Sequence, residues 1–227
     1  MTRSNRPAAT RYAEIMSTAQ FSMDDHLRGR ILANFANFER HSKDAEDLIR
    51  AAVTLLLIGD NRGEACFVIT RRASGLRDHP GQWALPGGRA NPGESAIEAA
   101  LRETREEIGL ELDTNTVIGL LDDYPTRSGF LITPVVVWGG IEPDLIADPN
   151  EVAEIYCIPL ADLEKPDVPR LRTIPESDRP VISIPIETLG ANIHAPTAAI
   201  LYQLREVAVR GKSTRVAHFE EPVFAWK

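Results

Sequence analysis

Glu103, Glu106 and Glu107 fall at i, i+3 and i+4 of a stretch that reads as a helix, so their carboxylates share one face. Like charges at these spacings destabilise an isolated helix by roughly 0.2–0.5 kcal/mol per pair. A cation between them removes that repulsion and turns it into binding energy. No Cys or His joins the set, which favours a hard, oxygen-seeking ion, Mg2+ or Mn2+. Just upstream the chain carries Arg71, Arg72 and Arg77, followed by Arg89, against the single acid Asp78. The planar fork of arginine binds two phosphate oxygens at once. An acidic protein has gathered positive charge directly ahead of an acidic helix.

The element that must position these carboxylates spans 88–110. Asn91 reads as the N-cap, Pro92 as the first helical residue and Glu94 as the third, a capping-box-like start. Gly109 reads as a left-handed stop. The helix between them would be about 25 Å long at 1.5 Å per residue. Ile97, Leu101, Thr104 and Ile108 form its core-facing stripe. Pro86-Gly87-Gly88 leads into it, so backbone can approach a ligand closely there.

The run of Gly88, five residues, Glu94, seven residues, then Arg102-Glu103-Thr104-Arg105-Glu106-Glu107-Ile108-Gly109-Leu110 resembles the Nudix box. That box is the signature of hydrolases acting on nucleoside diphosphates linked to another moiety. Thr104 stands where the pattern usually has an aliphatic residue. Thr70, Arg72, Ala73, Arg77, Gly81, Leu85, Pro86, Gly87 and Gly88 resemble the additional motif of coenzyme A pyrophosphatases, with Leu85 where Phe is preferred. The late segment around His194-Ala195 departs from that subfamily.

The resemblance implies an α+β fold, the Nudix α/β/α sandwich with a mixed sheet. It implies Mg2+- or Mn2+-dependent cleavage of a phosphoanhydride by water. Coenzyme A or an acyl derivative would be the substrate; ADP-ribose, a dinucleotide or another nucleoside diphosphate derivative is the alternative. A binding module that keeps the fold without catalysis is the remaining reading. Glu103, Glu106 and Glu107 match the metal-binding and catalytic carboxylates, with the Gly87 carbonyl as a further ligand. Arg71, Arg72, Arg77 and Gly88 would meet substrate. Arg102 would orient a neighbouring carboxylate, and Glu94 and Gly109 would be structural, as would Gly88 in part. Glu151 and Glu154 are candidates for an additional base, a role open equally to Glu106 or Glu107. His79 reads as a hydrogen-bonded structural residue, and Trp83 as core.

With 227 residues, 43% hydrophobic and 26% charged, the chain suits one well-cored domain. A formal charge of −8 argues against general binding to nucleic acid or anionic membrane. The longest apolar run, 51–58, is too short to span a bilayer. Residues 1–20 carry Arg3, Arg6 and Arg11 without an apolar core, unlike a secretory leader. Cys66 and Cys157 make no metal or redox spacing, so a cytoplasmic protein is expected.

Residues 1–23 read as a flexible tail and 24–227 as a single domain. Asp24 or Asp25 caps an expected helix ending near Arg40, with Leu27, Ile31, Phe35 and Phe38 on one side. Strands are expected over 51–58 and 65–70 as a hairpin, and over 116–121, 130–138, 151–159 and 181–186. Pro134 should mark an edge or bulge. A short helix is expected over 159–163 and a surface excursion over 166–180. Pro196 opens a last helix with Ile200, Leu201, Leu204 and Val207 inward. Phe219, Phe224 and Trp226 need a partner surface, the domain itself or a second subunit in a homodimer.

Overall fold

Val, Thr, Leu and Ile fill positions 53–58, and turn residues follow at 60–63, the composition of a strand buried on both faces. The computed structural model describes residues 21–44, 47–76 and 80–226 and places that run at the centre of its main sheet. In chain order the elements are α1 (Asp25–Ala36), β1 (Ile49–Gly59), β2 (Ala65–Arg72), β3 (Trp83–Ala84), β4 (Gly87–Arg89), α2 (Ala96–Ile108), β5 (Val117–Leu120), β6 (Tyr124–Pro125), β7 (Phe130–Ile141), β8 (Val152–Pro159), β9 (Arg170–Ile174), β10 (Ser177–Ile186), β11 (Ala191–His194) and α3 (Thr197–Leu204). β7 runs parallel along one edge of β1. The other edge is shared: β2 pairs with its end at 57–59, and β4 with 51–53. β3 pairs with the far end of β2 at 70–71, and β8 pairs along β2 from 66 to 72. The sheet is therefore mixed and splits where the chain passes from β3 to β4.

Alternation along β1 decides the layers. Ala52, Leu56 and Ile58 pack with Ala99, Ala100 and Ile108 of α2. Leu55 and Leu57 face the opposite way, into a larger core shared with α1, α3 and the β9–β10–β11 sheet. This is an α+β sandwich with a mixed sheet. Among the described residues, no helix is long and apolar enough to cross a membrane.

Several sequence expectations need correction. Asp24 does cap α1, accepting the Leu27 N–H at 2.9 Å, but the helix ends at Ala36 rather than near Arg40. Residues 1–20 lie outside the described ones, and Phe21 and Met23, assigned to the tail, are buried in the larger core. Pro134 is not on an edge: it lies within β7, where the neighbouring strand changes from β5 to β6, and its carbonyl accepts the Leu121 N–H at 3.0 Å. The 166–180 stretch is no irregular excursion, because β9 and β10 pair there as an antiparallel hairpin. All three C-terminal aromatics find partners within the chain, Phe224 standing edge-on to His194 at 5.4 Å. Phe219 is buried against Tyr202, and Trp226 receives the Arg127 guanidinium on its ring at 4.2 Å.

Candidate active site

The acidic helix starts later than its sequence suggests. Ser95 is the N-cap of α2, its hydroxyl accepting the Glu98 N–H at 3.2 Å, while Glu98 Oε2 accepts the Ser95 N–H at 2.8 Å. Asn91 and Glu94 form a separate turn ahead of it. The Glu94 N–H donates to the Asn91 carbonyl at 3.0 Å, and the Asn91 N–H to Glu94 Oε2 at 2.7 Å. Two capping signals lie within five residues; Glu94 answers the Asn91 N–H while also held by Arg102, and the helix itself starts after Ser95. Gly109 closes the helix in the left-handed region at φ 71°.

Arg102 is the hub of the site. Its Nε and Nη2 grip the two oxygens of Glu94 at 2.8 and 3.0 Å. Nη1 donates to Glu103 Oε1 and to Glu106 Oε2, each at 2.8 Å, and Nη2 also reaches the Arg89 carbonyl at 3.0 Å. One guanidinium thus ties the turn before the helix to two carboxylates on it, and the Glu94 carboxyl is held below its usual range mainly by that contact.

Glu103, Glu107 and Glu151 converge. A carboxylate oxygen from each lies within 4.8 Å of the others. Glu107 is buried, and burial pushes its carboxyl up to about 8 despite the Gly87 N–H at 3.1 Å; Glu103 and Glu151 raise it further. Burial also raises Glu103, although Arg102 opposes the shift. Glu151 reaches this place through the backbone. The Asp148 N–H bonds the Glu107 carbonyl at 3.0 Å, the Glu151 N–H bonds the Asp148 carbonyl at 3.0 Å, and the Ala73 N–H bonds the Glu151 carbonyl at 2.8 Å. Three convergent oxygen donors, two with carboxyls raised by burial and mutual repulsion, lack only a positive charge, so this donor set fits a hard divalent ion. Glu106 lies outside the cluster, half-exposed and turned to Arg102.

The two glycines before α2 shape the cradle. At Gly87 φ is +154°, and a Cβ would stand 2.3 Å from the Ala52 carbonyl oxygen. At Gly88 a Cβ would stand 2.4 Å from Glu103 Oε1. Only glycine lets backbone and carboxylate approach this closely.

The arginine-rich segment divides. Arg72 lies close enough to Glu107 to lower its carboxyl against the effect of burial. Arg71 sits across the β2–β8 ladder from Glu154 and forms an ion pair with it. One expected substrate arginine is therefore paired with one expected base. Arg77 and His79 lie outside the described residues. Trp83 is half-buried at the rim of the larger core, edge-on to Tyr156 at 5.3 Å.

Sequence reading missed the partner of Thr104. Its hydroxyl lies 2.8 Å from both the Ala100 carbonyl and Thr54 Oγ1, and Thr54 Oγ1 lies 3.0 Å from the same carbonyl. Thr54, the single polar residue among apolar ones at 53–58, was the available signal.

A mixed sheet splits beside a helix that presents carboxylates to a glycine turn, which defines an α+β protein with a cradle for a divalent ion. The sequence profile of the NUDIX domain matches residues 48–177. The chain is 37% identical over 151 residues to the uncharacterized Nudix hydrolase NudL of Enterobacter sp. (strain 638), across 65% of this chain and 74% of that one. It is 41% identical over 116 residues to NudL of Cronobacter sakazakii (strain ATCC BAA-894), across 50% and 58%. A MutT/nudix family protein from Enterococcus faecalis is similar in structure, with a TM-score of 0.47 at 19% identity, across 73% of this chain and 64% of that one. The chain belongs to the Nudix family and is a phosphoanhydride hydrolase. Hydrolases of this family act on nucleoside diphosphate derivatives with a divalent metal ion, which matches the carboxylate cluster.

Proposed function

We propose that this hydrolase cleaves the pyrophosphate of coenzyme A or an acyl-coenzyme A into adenosine 3′,5′-bisphosphate and an (acyl-)phosphopantetheine, using Mg2+ or Mn2+. The observation that carries the reading is the attachment of the 70–88 segment, which resembles the coenzyme A motif, to the carboxylate cradle at both ends. Ala73 donates to the Glu151 carbonyl at 2.8 Å, and Gly87 donates to Glu107 Oε2 at 3.1 Å. The motif and the box thus form one hydrogen-bonded unit.

Glu103, Glu107 and Glu151 would hold the metal, with Glu106 joining by turning from Arg102. When bound, the ion neutralises charge on the leaving phosphate oxygen and lowers the pKa of the attacking water. Water oxygen bonds to one phosphorus, the bridging P–O bond breaks, and the leaving phosphate takes up the charge. Of the two candidates beyond the box, Glu151 lies in the cradle and would accept the water proton with the carboxylate oxygen not given to the ion, because Glu154 is engaged by Arg71 and Tyr156. Arg72 offsets substrate charge beside Glu107, and Arg102 fixes Glu103. The free thiols of Cys66 and Cys157 suit a reducing, cytoplasmic setting.

The test is product identification by mass spectrometry after incubation with coenzyme A, ADP-ribose or NADH, each with Mg2+ and with EDTA. Metal-dependent release of adenosine 3′,5′-bisphosphate, faster than cleavage of the other two compounds, supports the reading. Preferred cleavage of ADP-ribose or NADH replaces the coenzyme A assignment while leaving the hydrolase in place.

A further inference from the structure

Beside the cradle, but not part of it, three strands set four side chains in a row. Trp83 of β3 is the ladder partner of Arg71 in β2, and Arg71 is the partner of Glu154 in β8. Residues opposite each other in a ladder share a face. Two rungs further on, Tyr156 pairs with Ile69, and its hydroxyl donates to Glu154 Oε2 at 2.5 Å. The Trp83 and Tyr156 rings meet edge to face at 5.3 Å and 82°. The row borders the cradle along three stretches of chain. Arg71 adjoins Arg72, although strand alternation turns the two to opposite faces of β2, Trp83 lies four residues before Gly87, where the sheet splits, and Glu154 lies three residues after Glu151. At about 3.3 Å per strand residue, Glu154 is about 10 Å along β8 from the cradle, the reach of one nucleoside from its diphosphate.

The chemistry of the row is that of a base rather than a phosphate. Arg71 is neutralised by Glu154, and both side chains are about 40% exposed, at 42% and 39%. A phosphate there would have to displace the carboxylate and would face its charge. A neutral base meets no such repulsion. The carboxylate accepts from an exocyclic amine, the neighbouring guanidinium donates to a ring nitrogen, and the partly exposed Trp83 and Tyr156 rings offer apolar surface beside them.

We propose that Trp83, Arg71, Glu154 and Tyr156 seat the purine of the substrate's nucleotide half. This rests on the nucleoside diphosphate reading of the cradle, and it moves Arg71 from the phosphates to the base. Arg72 remains the phosphate-side arginine.

The test is calorimetric binding of AMP, CMP and ribose 5-phosphate in Mg2+, none of which contains a pyrophosphate to cleave. Wild type should bind AMP more tightly than ribose 5-phosphate, and more tightly than CMP because the purine stacks over a larger area while cytosine offers the same amine and ring nitrogen. Glu154→Gln and Trp83→Leu should each weaken AMP about tenfold or more, the scale of losing one base-stacking or base-edge contact, and leave ribose 5-phosphate unchanged. Melting curves and far-UV circular dichroism verify folding, and Glu154→Gln at a half-exposed position serves if Trp83→Leu fails to fold. Equal binding of the three ligands by wild type, or equal weakening of AMP and ribose 5-phosphate in the variants, overturns the proposal. Failure to cleave coenzyme A leaves this comparison intact, because AMP tests the seat whichever purine compound is the substrate.

Discussion

Replacing Glu107 by Gln separates the charge of the cradle from its shape. The Glu107 carboxyl sits at about 8 in the folded protein, against 4.5 in an unperturbed chain. The folded protein therefore keeps a proton that the unfolded chain releases. Its contribution to metal-free stability is fully present below pH 4.5 and is lost as pH rises through about 8. Each pH unit between those values is worth about 1.4 kcal/mol, so the cost at pH 7 is roughly 3 kcal/mol. Gln keeps the volume and an oxygen for the Gly87 N–H but carries no charge. In EDTA at pH 8, Glu107→Gln should melt higher than wild type, by roughly 4–8 °C for a net gain of about 2 kcal/mol in a domain of this size. At pH 5 the two should nearly coincide. Saturating Mg2+ should raise wild type and leave the variant almost unmoved, because binding to the folded state alone is what raises the melting point. Scanning calorimetry at pH 5 and pH 8, with EDTA or Mg2+, reads all four conditions. A variant that melts below wild type in EDTA at pH 8 would refute the buried-charge argument. An equal Mg2+ shift in both proteins would place the ion elsewhere.

Three further substitutions probe the neighbours. Arg72→Glu reverses the charge beside Glu107 and should raise KM about tenfold or more, as expected for a lost charge-assisted phosphate contact; steady-state kinetics with an unchanged KM would remove Arg72 from the substrate site. Gly88→Ala puts a Cβ 2.4 Å from Glu103 Oε1. The flexible carboxylate must yield, so the melting point should barely change while Mg2+ affinity, titrated through activity, falls about 10- to 100-fold; unaltered affinity would mean that Glu103 is not a ligand. Glu106→Gln should lower kcat about 100-fold or more with the fold intact by circular dichroism, the scale of losing one transition-state charge contact. Near-normal turnover would leave the ion to Glu103, Glu107 and Glu151.

Local rules made much of this protein legible. The spacing of Glu103, Glu106 and Glu107 puts them on one helix face wherever the helix lies. Gly109 ends that helix because a left-handed residue is needed there, and the hairpin over β1 and β2 follows from two apolar runs around a turn. Each of these depends on residues a few positions apart. The start of α2 is ambiguous even at this range, because Asn91–Glu94 and Ser95–Glu98 are both capping signals and both glutamates bond back in the structure.

The tertiary structure decided what depends on distant chain meeting. Glu151 was one of two weak candidates by sequence. It joins Glu103 and Glu107 because the loop at 146–151 is hydrogen-bonded to the end of α2 and to Ala73. Glu154, three residues on, is turned to Arg71 by the alternation of β8. Glu106 shares the helix face of its neighbours, yet Arg102 holds it away from them. Thr104 departs from the aliphatic pattern because Thr54 stands opposite it in β1. A sequence places a side chain relative to its own helix or strand. Which carboxylate becomes buried, paired or left facing another is set by the packing of elements far apart in the chain, and burial is what moves Glu107 to about 8.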